Sequence, residues 1–214
     1  MRNLCSAMGL TVLLSAMTVG SASADVNVGL SVNSDGQKSF YLAIGSHYNV
    51  PEKEVIIVRE KKIPDEELPV VFFLARKTSV APELLISLRL NGMSWMAIAK
   101  QYNVGADVFY VPVVVEPGPP YGKAYGLYKN KKKSEWKKIE LTDSEIVNFV
   151  NLRFISDHYG CSPDQVIEMR EKGKTFVLIN GEVKANKGQS KKQSASIDSD
   201  KGKNNKGNDK KKDK

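Results

Sequence analysis

The chain has 214 residues and a formal charge of +8, and that charge is unevenly placed. Residues 184–214 hold eleven lysines against four aspartates, a net of +7, Arg2 adds one, and residues 25–183 balance twenty basic against twenty acidic residues. Cys5 and Cys161 are the only cysteines, which excludes a disulfide-stapled scaffold and leaves a buried core as the source of stability.

Residues 1–24 read as a secretory signal: Arg2 gives the positive start, residues 4–19 an interrupted apolar stretch, and Ala22-Ser23-Ala24 a small-residue cleavage site. A membrane anchor is the alternative, but the stretch falls short of the ~20 strongly apolar residues that spanning requires. The mature protein is then expected to start at Asp25 and to reside in the periplasm or outside the cell. Cys161 would be its only cysteine, read as a small buried hydrophobe.

Residues 26–32 alternate apolar and small residues ahead of Asn33-Ser34-Asp35-Gly36, which predicts a short strand and a turn. From Phe40 the pattern becomes helical. One unit then occurs three times: a helix end, a turn and a short helix carrying an arginine. The copies are His47 to Lys62, Lys77 to Gly92 and His158 to Gly173, with Arg59, Arg89 and Arg170 each twelve residues after the first position. Fixed spacing with drifting side chains marks a repeated supersecondary unit. Pro51, Pro82 and Pro163 open the short helices, Ser162 caps the third, and Val55, Ile56, Val166 and Ile167 are expected to face inward. The arginines fall at helix ends, where a cation is favoured, and are assigned a structural role.

Asp65 is expected to cap a helix over residues 66–77 that is apolar on nearly every side and therefore central. Ser94 caps a helix over 95–102, in which Trp95 is read as a core anchor. Thr175, Phe176 and Ile179 echo that helix after the third copy, and Asp143 is expected to cap a long helix running to His158. Residues 105–138 break the pattern: Val108 to Val115 is β-branched and aromatic, residues 116–120 must turn, and the rest mixes aromatics with lysines. The expected fold is mainly α, with helical-hairpin repeats in two lobes (25–104 and 139–183), a short N-terminal strand, an inserted β or loop segment (105–138) and a disordered basic tail (184–214). The tail has no aromatic and only Ile197 as a branched aliphatic residue, too little apolar surface to offset the entropy of ordering.

Several functions can be weighed. Residues 92–104 resemble the first half of a DNA-reading helix-turn-helix, but the groove-entering second helix is replaced by a strand-like run, so sequence-specific DNA binding is not expected. His158 with Cys161 could begin a zinc site, yet three or four ligands must converge and the repeat already accounts for His47 and His158 as helix-end residues. No metal or cofactor is expected. The usual nucleophile, zinc and phosphate-loop motifs do not occur, which leaves His47, His158, Asp157 and Cys161 as candidate proton carriers for an enzyme with a cleft between the lobes. Tyr121, Lys123, Tyr125, Tyr128, Lys131, Lys132, Lys133 and Trp136 form the candidate binding strip, alternating stacking faces with cations in a composition suited to sugars, anionic polymers or single-stranded nucleic acid. The plain alternative is a solvated hairpin whose tyrosines pack on the body.

The runs VPEKEVIIVREKKIPDEELPVVFFLARK, LRLNGMSWMAI, PPYGKAYG and IVNFVNLRFISDHYG resemble a family of uncharacterised exported bacterial helical-repeat proteins with lysine-rich tails. That resemblance implies export and carries no activity or site residues. The expected function is non-enzymatic: an exported protein whose body docks a protein partner and whose tail attaches it to an anionic envelope component, whether lipid, polysaccharide or extracellular nucleic acid. N-terminal sequencing of the exported protein should read Asp-Val-Asn-Val, and recovery of the Met1 terminus from a membrane pellet would make the leader an anchor instead.

Overall fold

Each repeat copy closes a hairpin of one long and one short helix, and the backbone shows why the spacing is fixed. In the computed structural model, which describes residues 34–201, with side chains to 189, the hairpins are α1 (Ser34–Tyr48) with α2 (Glu52–Glu60), α3 (Leu68–Thr78) with α4 (Pro82–Leu90), and α7 (Asp143–Tyr159) with α8 (Pro163–Glu171). The long helices stop at a left-handed residue, Asn49, Ser79 or Gly160, and thirteen positions later the short helices stop at another, Lys62, Gly92 or Gly173. At the second stop the amide donates to the arginine carbonyl three residues back, at 3.0 Å in the first two copies and 2.9 Å in the third. Glycine enters the left-handed region without the Cβ clash that costs other residues about 1–2 kcal/mol, so at the second stop Lys62 bears a cost that Gly92 and Gly173 do not.

A third helix follows each hairpin: α3 itself after the first, α5 (Trp95–Gln101) after the second and α9 (Phe176–Lys201) after the third. Between α5 and α7 lies α6 (Gly122–Lys129). Among the described residues there is no strand, and no described helix is long and apolar enough to cross a membrane. α3 and α7 pack on each other at the centre. Leu68 through Leu74 is buried without interruption, as a helix apolar all round requires, and α7 is buried from Glu145 to Leu152. One continuous apolar core takes residues from both halves of the chain, so the two expected lobes share a core.

Several local expectations are corrected. Ile56 is 38% exposed, and Val58, one turn beyond Val55, takes the inward place. Thr142 rather than Asp143 caps α7, accepting from the Glu145 amide while Glu145 accepts from the Thr142 amide. Asp65 opens a 3₁₀ turn, Asp65–Glu67, that leads into α3. α9 continues to Lys201, so the stretch after Lys184 begins as helix, with Lys184 Nζ on Ser39 Oγ at 3.0 Å and Lys187 Nζ on the Tyr159 carbonyl at 2.7 Å. The expected signal, the N-terminal strand and residues 202–214 lie outside the described residues.

The 3₁₀ turn ties the three hairpins together. Its three consecutive carboxylates each take the arginine of a different copy: Asp65 meets Arg59 at 3.7 Å, Glu66 meets Arg170 at 3.1 Å, and Glu67 meets Arg89 at 2.9 Å. Arg89 also reaches the Met93 carbonyl and Asp143, and Arg170 the Lys174 carbonyl and Asn148. Six residues beyond each of these arginines an aromatic ring lies under the guanidinium, Trp95 at 5.1 Å and Phe176 at 4.4 Å. The Trp95 indole donates to Glu67, the Phe176 amide donates to Glu66, and Asn151 of α7 donates to the Glu66 carbonyl. The Arg59 side chain is 51% exposed against 20% for Arg89 and 21% for Arg170, which ranks the three. Methionine at Arg89 or Arg170 should cost about 2–3 kcal/mol by stranding a shielded carboxylate, and at Arg59 less than about 1 kcal/mol. Urea unfolding of the three variants checks this order, and equal losses at all three would break it.

Candidate functional site

In the expected binding strip, Tyr121, Tyr125 and Tyr128 are spaced four and three apart, the interval of one helix face, and α6 turns that face inward. All three are buried, with ring centroids 6.3, 5.1 and 5.7 Å from Phe149 of α7. The Tyr125 and Tyr128 hydroxyls donate to the Val111 and Ala106 carbonyls, both at 2.7 Å. Burial pushes all three phenols above the usual tyrosine range. Trp136 is half-buried, its indole donating to the Tyr128 and Lys131 carbonyls, with Lys133 Nζ 5.8 Å from the ring. Lys123, Lys131, Lys132 and Lys133 are exposed. The structure thus separates the strip into aromatics inside and lysines outside.

The expected strand at residues 108–115 is a 3₁₀ turn, Ala106–Val108, followed by irregular chain. A β-branched run becomes a strand only with a neighbour to pair its backbone. Here helices supply the partners. Arg153 donates to the Val108 and Tyr110 carbonyls, Asp164 accepts from the Val114 and Val115 amides, and Glu171 accepts from Gly118. After α5, therefore, no second helix follows to complete a helix-turn-helix, and Trp95 is fully buried.

Three of the four candidate proton carriers gather at the C-terminal ends of α1 and α7. The His47 and His158 rings are 6.1 Å apart, and His47 and Asp157 line a pocket of about 370 Å³ with Tyr48, Phe73, Arg76, Lys77 and Arg153. Burial lowers the proton affinity of both histidines, Asp157 opposing this at His47. Neither ring is hydrogen-bonded to a carboxylate among the described residues. Cys161 is half-buried, its Sγ 3.9 Å from the Ile155 carbonyl and its thiol pushed up by burial. Like Val50 and Val80 at the same repeat position, it packs on the edge of the core. Among the described residues no group of three His, Cys, Asp or Glu side chains is placed to hold a metal. Searches against family models, curated proteins and solved structures found no match for the chain.

Alanine at Tyr128 should cost about 3 kcal/mol of stability, as loss of a buried aromatic does. Glutamine at Lys131, Lys132 or Lys133 should change it by no more than about 0.5 kcal/mol. Thermal unfolding separates these outcomes, and a silent Tyr128 variant would put that ring back on the surface.

Proposed function

We propose that the protein is an exported, non-catalytic docking protein whose lysine-rich C-terminal stretch attaches it to an anionic envelope component. The partition of charge carries this reading: residues 25–183 are neutral in sum, and the repeat arginines are paired with internal carboxylates. The excess of +7 therefore resides in lysines from 184 onward, where each contributes about 1 kcal/mol toward an anionic surface at low salt. Lipid, polysaccharide and extracellular nucleic acid share the required chemistry.

Docking of Lys184 and Lys187 onto the body puts the clean cut after Gln189. Removing residues 190–214 takes away nine of the eleven tail lysines and all four aspartates, a net of +5. Unfolding free energy should change by less than about 0.5 kcal/mol. Co-sedimentation with vesicles of anionic phospholipid should fall sharply. In the intact protein it should weaken as salt rises, because charges more than ~8 Å apart are screened at physiological ionic strength. Equal, salt-independent sedimentation of both forms would take the lysine-rich stretch out of the mechanism.

A further inference from the structure

Five arginines lie in the body, and three of them, Arg59, Arg89 and Arg170, are matched with carboxylates within 4.0 Å. Among the described residues the other two, Arg76 and Arg153, have no such partner, and both line the same pocket at the ends of α1, α3 and α7, where Lys77 likewise has none. Arg153 is fixed in place by Nη2, which donates to the Val108 carbonyl at 3.1 Å and the Tyr110 carbonyl at 2.7 Å, leaving Nε and Nη1 unused. Its guanidinium carbon and the Lys77 ammonium lie 6.0 and 5.7 Å from the centre of the Phe73 ring. Asp157 is the one carboxylate on the pocket wall. It is exposed and bound to none of the three cations within 4.0 Å.

We propose that this pocket binds a tetrahedral oxyanion, the phosphate or sulfate group of a small molecule, gripped by Arg76, Arg153 and Lys77. Guanidinium forks match such oxygens in pairs and ammonium adds a point charge, while a cleft lined mainly by one sign of charge concentrates the opposite sign. The volume of about 370 Å³ admits the anion with a sugar-sized group attached. Arg76 and Lys77 also sit in the last turn of α3, where cations neutralise the helix end. That role leaves Arg153 unexplained, because it lies six residues before the end of α7 and the effect of a helix end fades within one turn. The site is independent of the lysine-rich stretch, so either reading can fail alone.

Calorimetric titration of the mature full-length chain with sodium sulfate, against chloride at matched ionic strength, tests it. Saturable one-site binding with a Kd of about 1 mM or tighter is expected, and glucose 6-phosphate should compete if the anion is carried on a small molecule. The Arg76→Gln, Lys77→Gln double variant should weaken sulfate at least about tenfold, whereas a Lys131→Gln, Lys132→Gln control and the chain cut after Gln189 should bind as the parent does. Sulfate keeps its charge between pH 5 and 8. His47, faced by Asp157 and His158 from α7 and Arg76 from α3, is neutral near pH 7 because burial lowers its proton affinity. It becomes cationic only below its ordinary value of 6.5, so affinity should rise as pH falls below that value and lose this rise in His47→Gln. Three results would overturn the proposal: no saturable heat up to about 50 mM, an equal loss in the Lys131/Lys132 control, or a double variant that melts earlier yet binds sulfate normally.

Discussion

Three successive acids, Asp65, Glu66 and Glu67, hold the fold together because they sit in a 3₁₀ turn. With three residues per turn, consecutive side chains point about 120° apart, so one short segment reaches three directions at once. Each direction meets a different hairpin, through Arg59, Arg170 and Arg89. On a strand, neighbouring carboxylates would alternate between only two directions. Partly shielded carboxylates this close together are stable only when each is paired, and no hairpin alone can supply all three partners. The turn therefore couples segments from residue 59 to residue 176, and α7 adds to it through Asn151 on the Glu66 carbonyl.

The copies are not equal participants. In the second and third, the residue six beyond the arginine is an aromatic ring under the guanidinium, Trp95 or Phe176. In the first, that position is Asp65, one of the acids of the turn. The first copy gives up its aromatic shield to supply part of the junction, and its arginine is correspondingly exposed. It also carries Lys62 where the others carry glycine in the left-handed region. Asp65 is compensated from another side by the Tyr41 hydroxyl at 2.7 Å and the Gln37 amide at 2.8 Å. The Tyr41 phenol is pushed up to about 12 by burial and by that carboxylate.

What could be read from the sequence is what local chemistry decides. Pro82, Pro163, Ser94 and Ser162 fall at helix starts, Gly92 and Gly173 at helix ends, and the unbroken apolar run before Arg76 lies at the centre. The arginines are structural in position, but their acidic partners lie 22 and 104 residues away for Arg89 and Arg170, a distance that no spacing rule spans. Residues 108–115 were misleading for a related reason. Their β-branched side chains suit a strand, but strand formation depends on a neighbour, and the neighbours here are Arg153, Asp164 and Glu171 on helices. The burial of Tyr121, Tyr125 and Tyr128 did leave a signal in their helical spacing, obscured by Lys123 between them and the lysines that follow.

The repeat also explains why a charged pocket forms at one end of the molecule. The first position of each copy, His47, Lys77 or His158, lies in the last turn of a long helix, and the preceding residues include Arg76 and Asp157. Packing α1, α3 and α7 side by side therefore brings equivalent positions of three copies together, and whatever polar chemistry they carry is gathered without any further loop. The same operation performed by the arginines twelve residues on yields paired contacts, shielded at Arg89 and Arg170 and open at Arg59, because the 3₁₀ turn provides an acid for each. In the pocket at the helix ends, Asp157 is the one carboxylate among the described residues that line it beside Arg76, Lys77 and Arg153. One repeat thus produces a satisfied ionic junction and an unsatisfied basic pocket, and the difference between them is the number of acids available at each.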